Sequence, residues 1–498
     1  MLQRSNKIDG LQRHNRSQSA FMSTPMPALR TTLLALALTL TTSPASSGEN
    51  WPATLDASLA RNGIPRSATS VLIQDVEGAP ALLSHRITTP MNPASVMKLV
   101  TTFSALDQLG PTFTWKTRIL AVAPIREGVL KGDLSIIGGG DPRLSRERLW
   151  LMLRDLRSHG VRRIEGDVLT DRSFFSLPAH DPAAFDQRPL RPYNAGANAL
   201  NVDFGSIQLR MQPTPAGADA TLDPQPAGLL VDNRIRRIAG STCGDPVTHL
   251  TATPRDGSGN TILSLEGNLP LGCNASFDWN LAPLAPERLF EGLFRTLWSE
   301  LGGEISGRFR EAPPPQGSQV LVESTSPALP EVLRDMNKWS NNVIARHVLA
   351  TLGALAEPGR DSAAAGARVV ERSLRATGIS TEGLVIENGA GLSRNERVTA
   401  LSLGDLLRAA WRSRTMPELV SSLPIAGRDG TARRRVANSP AAGAAHIKTG
   451  TLDGVRSLAG YVLGASGRRY AVVLMINHPN AGAARDAQDA LLEWTAAQ

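Results

Sequence analysis

One stretch of the sequence is almost wholly apolar over about four helical turns, the segment Ser95–Leu109. Its hydrophobic side chains fall on most faces of the predicted helix, and such a helix must be buried on most sides. The residues Asn92-Pro93-Ala94 mark its start. The chain therefore has to build a domain around this helix, with a serine and a lysine at its first turn.

The chain has 498 residues, more than one core normally holds, so several domains are expected. The pattern of apolar and polar residues changes from about Thr114, after which it predicts short strands and one amphipathic helix. The stretch from about 190 to 285 has short β-like runs between turns rich in Pro, Gly and Asp, which indicates a small β domain. Three prolines at 313–315 mark a crossing back to the first domain.

The last third is predicted to contain helices and one hairpin. The apolar pattern predicts a single helix over Leu329–Leu352, with Ser340 inside it, and a strand over Ala445–Thr451. Two more strands follow, joined at Ala465-Ser466-Gly467, and a helix over Ala483–Ala497 ends the chain.

The first 47 residues have the pattern of an export signal. Arg30 precedes a short apolar run that ends at Leu40, and small residues follow it. The run is too short to span a bilayer comfortably. This pattern predicts export to the periplasm. Without residues 1–47 the net charge falls from +8 to +4, which favours at most peripheral contact with an anionic surface and gives no support for nucleic acid.

Two cysteines, Cys243 and Cys273, are present in the exported part. An oxidising compartment would allow them to form a disulfide, worth roughly 3 kcal/mol in the chain-entropy model. A metal site is disfavoured, because no His or Cys stands at ligand spacing beside either of them.

Three short motifs carry the chemistry. Ser95 and Lys98 form a Ser-x-x-Lys at the start of the buried helix, one turn apart on one face, so Lys98 has the reach to accept the Ser95 proton. Burial of that lysine lowers its pKa, as a base requires. Ser340-Asn341-Asn342 and Lys448-Thr449-Gly450, with Thr451 next, follow in the order typical of serine penicillin-binding proteins and β-lactamases.

Further segments extend this likeness over nearly the whole mature chain. They are Gly139-Gly140-Asp141-Pro142, Pro192-Tyr193-Asn194-Ala195, Gly389-Ala390-Gly391-Leu392-Ser393-Arg394 and the run from Leu423 to Thr431. With them the sequence resembles the D-alanyl-D-alanine carboxypeptidase/endopeptidase family, the class C low-molecular-mass penicillin-binding proteins. Because 245 residues separate Ser95 from Ser340, the chain has room for the domains that this family inserts between the motifs.

The resemblance implies an α+β fold. Its catalytic domain is β-lactamase/transpeptidase-like, an antiparallel sheet with helices, and would comprise residues 51–115 and 318–498. An inserted α+β domain would take residues 116–190 and 285–317, and a small β domain 191–284. The implied activity is serine D,D-carboxypeptidase and D,D-endopeptidase hydrolysis of peptidoglycan stem peptides and cross-links, with β-lactams as inhibitors and no cofactor.

The resemblance also implies a role for each motif residue. Ser95 is the nucleophile, Lys98 its base, and Ser340 relays a proton to the leaving amine. The remaining residues bind substrate: Asn342 holds an amide, Lys448 supplies positive charge, and Thr449, Gly450 and Thr451 line the strand where the terminal carboxylate binds. The backbone N–H groups of Ser95 and Thr451 would form the oxyanion hole.

Alternatives remain open at this level. A β-lactamase would deacylate penicillin quickly, and a binding protein would hold peptidoglycan or a β-lactam without turnover. The loop Asn388-Gly389-Ala390-Gly391 departs from the Asp-Gly-Ser-Gly that the family suggests. His446 shares a strand face with Lys448 and is predicted to be a bystander, and Arg433-Arg434-Arg435 to be a solvated basic loop.

Overall fold

Two groups of sheets account for the architecture of residues 51–498, the part of the chain that the computed structural model describes. The predicted export signal lies outside these residues. The helices of the described part are α1 (Ala53–Arg61), α2 (Met97–Leu109), α3 (Arg146–Ser158), α4 (Pro286–Glu300), α5 (Leu329–Lys338), α6 (Asn342–Ala356), α7 (Ser362–Ala376), α8 (Ala400–Arg412), α9 (Met416–Ser422) and α10 (Arg485–Ala496). None of them is long and apolar enough to cross a membrane.

The strands of the same residues follow in chain order. They are β1 (Thr69–Asp75), β2 (Leu83–His85), β3 (Lys116–Ala121), β4 (Ile125–Arg126), β5 (Val129–Leu130), β6 (Leu134–Ile137), β7 (Arg163–Ile164), β8 (Val168–Asp171), β9 (Ile207–Pro213), β10 (Ala218–Thr221), β11 (Leu229–Asn233), β12 (Arg236–Ile238), β13 (Leu250–Gly257), β14 (Asn260–Pro270), β15 (Phe277–Leu281), β16 (Glu304–Ile305), β17 (Phe309–Glu311), β18 (Gln319–Thr325), β19 (Ala445–Leu452), β20 (Val455–Leu463) and β21 (Arg469–Asn477).

The catalytic part is built on an antiparallel sheet in the order β19-β20-β21-β1-β2. Helices cover both of its faces, so its central strands are buried on both sides and read as continuous hydrophobic runs, as in Tyr470–Ile476. Val473 and Met475 pack towards α2, α6 and α8, whereas Val472 and Leu474 pack towards α1 and α10. Helix α2 therefore lies where the sequence requires it, inside the larger of the two cores.

The insertion carries its own five-stranded sheet, in the order β17-β8-β6-β3-β18. Strand β18 pairs antiparallel with β3, so it belongs to this sheet and not to the catalytic part. The predicted boundary at residue 318 is therefore wrong, and the chain returns to the catalytic part only after Thr325. The local sequence of β18 could not reveal this, because its partner lies about two hundred residues earlier.

The α+β part of the insertion and the β-rich segment share one hydrophobic core. Leu153 and Phe294 belong to the same cluster as Leu263 and Cys273. The β-rich segment adds the sheet β10-β9-β15 and the strands β11, β12 and β13 around β14. A disulfide joins Cys243 to Cys273 within it.

The single helix predicted over Leu329–Leu352 is wrong. The structure has α5 and α6 there, separated by a break at Ser340, whose φ of 55° is left-handed. Asn341 then caps α6 by accepting a hydrogen bond from the Ile344 N–H at 3.0 Å. The apolar period runs through both helices, and for this reason the pattern predicts one.

Candidate active site

Ser95 lies in a short 3-10 turn, Ala94–Val96, that leads directly into α2. The Lys98 Nζ lies 3.1 Å from the Ser95 Oγ, so the predicted pair is in contact. Lys98 is fully buried, as are Val96 and Leu99 on either side, while Ser95 keeps partial exposure. The start of the apolar helix thus presents the hydroxyl to the cleft and hides the amine beneath it.

Two further acceptors surround the Lys98 amine. Its Nζ donates to the Asn342 Oδ1 at 2.7 Å and to the Ala390 carbonyl. Burial, and then the charge of Lys448, lower the pKa of Lys98 well below its usual range. Neither an amide oxygen nor a peptide carbonyl can donate, so a neutral amine that gives one N–H to each has its lone pair left for Ser95. That is the arrangement a general base needs.

The Ala390 carbonyl is brought to Lys98 by a tight loop. Gly391 has a φ of 79°, and a Cβ there would lie 1.8 Å from the Ala94 carbonyl oxygen, so only glycine fits. The buried Glu396 holds the same loop, because its Oε1 accepts the N–H groups of residues 387, 388 and 389 at 3.0, 2.9 and 3.2 Å. Burial raises the pKa of Glu396. The sequence reasoning missed this residue, and no periodicity marks it.

Ser340 stands opposite, in the break between α5 and α6. The Lys448 Nζ, fully buried, donates to the Ser340 Oγ at 2.9 Å. Burial lowers the pKa of Lys448 to about 7. Because the left-handed conformation of Ser340 interrupts the helix, its hydroxyl meets a strand residue that a continuous helix would not present to it. Two serine–lysine pairs, Ser95–Lys98 and Ser340–Lys448, therefore face the same cleft, and Asn342, two residues after Ser340, accepts from Lys98.

Asn342 connects the site to the insertion. Its Oδ1 accepts from Lys98, and its Nδ2 donates to the Tyr193 carbonyl at 3.3 Å. One turn later on α6, Arg346 donates to the carbonyls of Tyr193 and Ala195. The turn Pro192–Asn194 of the insertion thus forms one wall beside the catalytic residues.

Strand β19 forms the other wall. A Cβ on Gly450 would lie 2.7 Å from the Pro93 carbonyl and 2.9 Å from the Ala94 Cβ, so glycine lets the strand pack against the turn that carries Ser95. Thr449 lies with its Oγ1 3.4 Å from the Thr431 Oγ1, and Thr451 is exposed. Within residues 51–498, neither Lys98 nor Lys448 forms an ion pair with a carboxylate, so their contacts in the cleft are hydrogen bonds to neutral groups.

Two side predictions have different outcomes. His446 is half-buried on β19, and among the described hydrogen bonds it takes no part in the contacts that join Lys98 and Lys448 to their serines. Arg435 does not belong to a solvated loop: it is buried and donates to Asp489 at 2.7 Å and to Gln488 at 3.1 Å. Of the three arginines predicted to be solvated, only the first two are exposed. The described residues contain no cluster that could hold a metal ion.

Known proteins are similar to this chain in sequence and in fold. The chain is 30% identical over 435 residues to a D-alanyl-D-alanine carboxypeptidase of an Actinomadura species, an alignment of 83% of this chain and 78% of that protein. It is 26% identical over 418 residues to the D-alanyl-D-alanine carboxypeptidase DacB of Haemophilus influenzae, covering 82% and 84%. The crystal structure of penicillin binding protein 4 (dacB) from Haemophilus influenzae matches with a TM-score of 0.72 at 24% identity, over 88% of this chain and 99% of that one.

The sequence also matches a protein-family model, and this match assigns the chain to a family. The model of the D-Ala-D-Ala carboxypeptidase 3 (S13) family matches residues 52–498, nearly all of the described chain. The predicted family resemblance and the predicted α+β fold are thereby confirmed, as is the prediction of an enzyme. The chain belongs to the D-Ala-D-Ala carboxypeptidase 3 (S13) family of serine peptidases.

Proposed function

We propose that this enzyme hydrolyses the D-Ala–D-Ala bond of peptidoglycan stem peptides through an acyl-enzyme on Ser95. The observation that carries the proposal is the buried Lys98 amine, which contacts the Ser95 Oγ while two non-donating oxygens occupy its N–H groups. Family membership supplies the substrate class. The site supplies the means of activating the serine.

In the acylation step the Ser95 Oγ attacks the carbonyl carbon of the penultimate D-Ala, and Lys98 takes the hydroxyl proton. The negative charge on the carbonyl oxygen is received by the N–H groups of Ser95 and Thr451. When the peptide bond breaks, Ser340 gives a proton to the leaving nitrogen. Lys448 donates to the Ser340 Oγ at 2.9 Å, so the serine keeps its own O–H free for this transfer and Lys448 can replace the proton. Water then releases the acyl group from Ser95.

On the leaving-group side, Thr449 and Thr451 bind the terminal carboxylate of the substrate, and Lys448 adds positive charge nearby. Asn342 holds the substrate amide at the junction with the insertion. Cross-links in which the leaving residue is part of a second stem peptide react by the same steps, which is the D,D-endopeptidase activity. The export signal predicted in residues 1–47 supports a periplasmic location, where peptidoglycan is found.

A β-lactam is expected to acylate the same serine and to leave slowly. The Haemophilus penicillin binding protein 4, whose fold this chain shares, has also been crystallised in a complex with a β-lactam. The β-lactamase and pure-binding alternatives predict other outcomes: rapid turnover of nitrocefin for the first, and no release of D-alanine from a D-Ala–D-Ala peptide for the second.

The test is intact-protein mass spectrometry after incubation with penicillin, for the wild type and for Ser95→Ala. We expect one covalent adduct on the wild type, located on Ser95, and none on the variant. An adduct that survives Ser95→Ala would contradict the assignment of the nucleophile. D-alanine release from a D-Ala–D-Ala tripeptide, measured on the same two proteins, completes the test.

A further inference from the structure

An arginine lies beside the carboxylate end of the cleft. Thr451 on β19 and Arg456 on β20 are directly paired across the hairpin. The Arg456 Nη1 donates to the Thr451 Oγ1 at 3.2 Å, and its Nη2 donates to the Gly482 carbonyl at 2.7 Å. The guanidinium is thus held against the hydroxyl from two directions, by the hairpin and by the turn before α10.

The charge of this arginine has no acidic partner. Within residues 51–498, Arg456 forms no ion pair with a carboxylate. Burial, and then the charges of Arg435 and Arg485, lower the pKa of Arg456. Arg435 is itself neutralised by Asp489 at 2.7 Å. A half-buried cation among other cations is costly to keep unless an anion completes its surroundings.

The hydrogen bond also fixes what Thr451 can do. A threonine hydroxyl has one proton to donate and lone pairs that accept. Since the Thr451 Oγ1 accepts from Arg456, its own proton is directed elsewhere, and Thr451 is exposed at the cleft. A carboxylate accepts such a proton at either oxygen and is attracted by the guanidinium behind it. A C-terminal amide gains no such attraction and brings an NH₂ group that must find an acceptor.

We propose that Arg456 is a positioning residue that orients Thr451 and makes the site select peptides whose leaving residue carries a free α-carboxylate. The proposal rests on the proposed function, because it concerns the same cleft. It extends to cross-links: a leaving residue that keeps its carboxylate is accepted, and one whose carboxylate is amidated is disfavoured.

The experiment compares two substrates, a diacetylated Lys–D-Ala–D-Ala tripeptide with a free C-terminus and the same tripeptide as its C-terminal amide. For the wild type, Arg456→Gln, Arg456→Lys and Arg468→Gln, kcat and KM are measured on both. Arg468 is exposed in the turn between β20 and β21, at the other end of β20 from Arg456. Its substitution therefore removes the same charge at a distance from Thr451.

We expect the wild type to prefer the free acid. Arg456→Gln should lower kcat/KM for the acid by about tenfold or more, mainly through KM. The variant loses the charge-assisted hydrogen bond that orients the Thr451 hydroxyl, and with it the positive charge behind that hydroxyl. The loss on the amide should be several times smaller, so the acid-to-amide ratio falls. Arg456→Lys should recover part of that ratio, and Arg468→Gln should keep the wild-type ratio.

Three results would overturn the proposal: a wild type without preference for the acid, an Arg456→Gln ratio equal to the wild-type ratio, or equal losses on both substrates, which indicate a merely structural role. Failure of the proposed function is distinguishable from all three. It would appear as a wild type that neither releases D-alanine nor forms a penicillin adduct.

Discussion

At the scale of single residues, Lys98 is defined by what surrounds it. An amine with two permanent acceptors and no carboxylate partner in the described part of the chain is best accommodated without its extra proton, because burial disfavours the ammonium. The lysine is therefore prepared as a base before substrate arrives. Its hydrogen-bond partners, and not its charge, hold it in place.

Replacing Lys98 by arginine tests this. The guanidinium cannot lose a proton at accessible pH, so the substitution removes the base and places a permanent positive charge in its position. We expect the rate of acylation by penicillin, followed by mass spectrometry against time, to fall by about a thousandfold. Lys131→Arg, at an exposed position of the insertion, is the matched control and should acylate at the wild-type rate. Retention of most of the rate in Lys98→Arg would mean that another group takes the Ser95 proton.

The motif residues could be recognised from sequence, and their partners could not. Spacing places Lys98 one turn from Ser95, and the order of the motifs brings Ser340 and Lys448 into the same site. The left-handed φ of Ser340 has no sequence signal, because the apolar period continues through it. The Ala390 carbonyl is a backbone group, which no side-chain pattern can indicate.

At the scale of elements, the loop after α7 depends on one buried carboxyl. Glu396→Ala would leave the N–H groups of residues 387, 388 and 389 without their acceptor, the last of them buried and the other two partly buried. We expect the free energy of unfolding, measured by urea denaturation, to fall by at least about 2 kcal/mol. Acylation should slow as well, because the loop positions the carbonyl that holds Lys98.

Glu396→Gln is the matched comparison, since an amide oxygen can accept the same bonds. It should lose clearly less stability than Glu396→Ala. Equal losses in the two variants would show that the charge of Glu396, and not its role as an acceptor, stabilises the loop.

The side chain of His347 on helix α6 contacts the insertion at the Asn198 carbonyl. This side chain is fully buried, and its ring nitrogens lie 2.7 Å from the Val343 carbonyl and 2.9 Å from the Asn198 carbonyl. Burial lowers the pKa of His347 to about 4 from the ordinary histidine value of 6.5. The folded protein therefore excludes a proton that the unfolded chain binds. The resulting stability is complete above pH 6.5 and is lost as the pH falls towards 4.

We expect a specific pH dependence from this histidine. Between neutral pH and pH 4, the wild type should lose about 3 kcal/mol of unfolding free energy more than His347→Gln, which cannot bind the proton. The measurement is urea unfolding of both proteins across this range. Parallel curves for the two proteins would exclude His347 as the cause.

At the scale of the whole molecule, the entire insertion shares one hydrophobic core. A disulfide in the β-rich segment therefore stabilises all of the insertion. The disulfide between Cys243 and Cys273 spans 30 residues of this segment. We expect the double variant Cys243→Ser/Cys273→Ser to lose roughly 3 kcal/mol of unfolding free energy, by restoring chain entropy to the unfolded state. Under folding conditions it should still be acylated by penicillin, because neither sulfur lies at the catalytic site. An unchanged denaturation midpoint would contradict the expectation.

The positions of most helices and strands were more predictable from the sequence than the residue at which the chain returns from the insertion. Composition and periodicity located the buried helix α2, the three last strands and the β-rich segment close to their observed bounds. The return from the insertion was placed one strand too early, because pairing between β3 and β18 depends on residues far apart in the chain. Local sequence patterns indicate which side chains of a strand or helix are buried, but they do not indicate which element it pairs with.

The two ends of the insertion meet. The Trp115 N–H donates to the Ser326 Oγ at 2.9 Å, and the Ser326 N–H donates to the Trp115 carbonyl at 2.9 Å. A tight turn between these two residues would leave the path of the catalytic chain uninterrupted. An exchange of the inserted segment between these two residues would therefore leave the strand order around Ser95 unchanged. What such an exchange alters is the wall at Tyr193, and with it the set of peptides that the cleft admits.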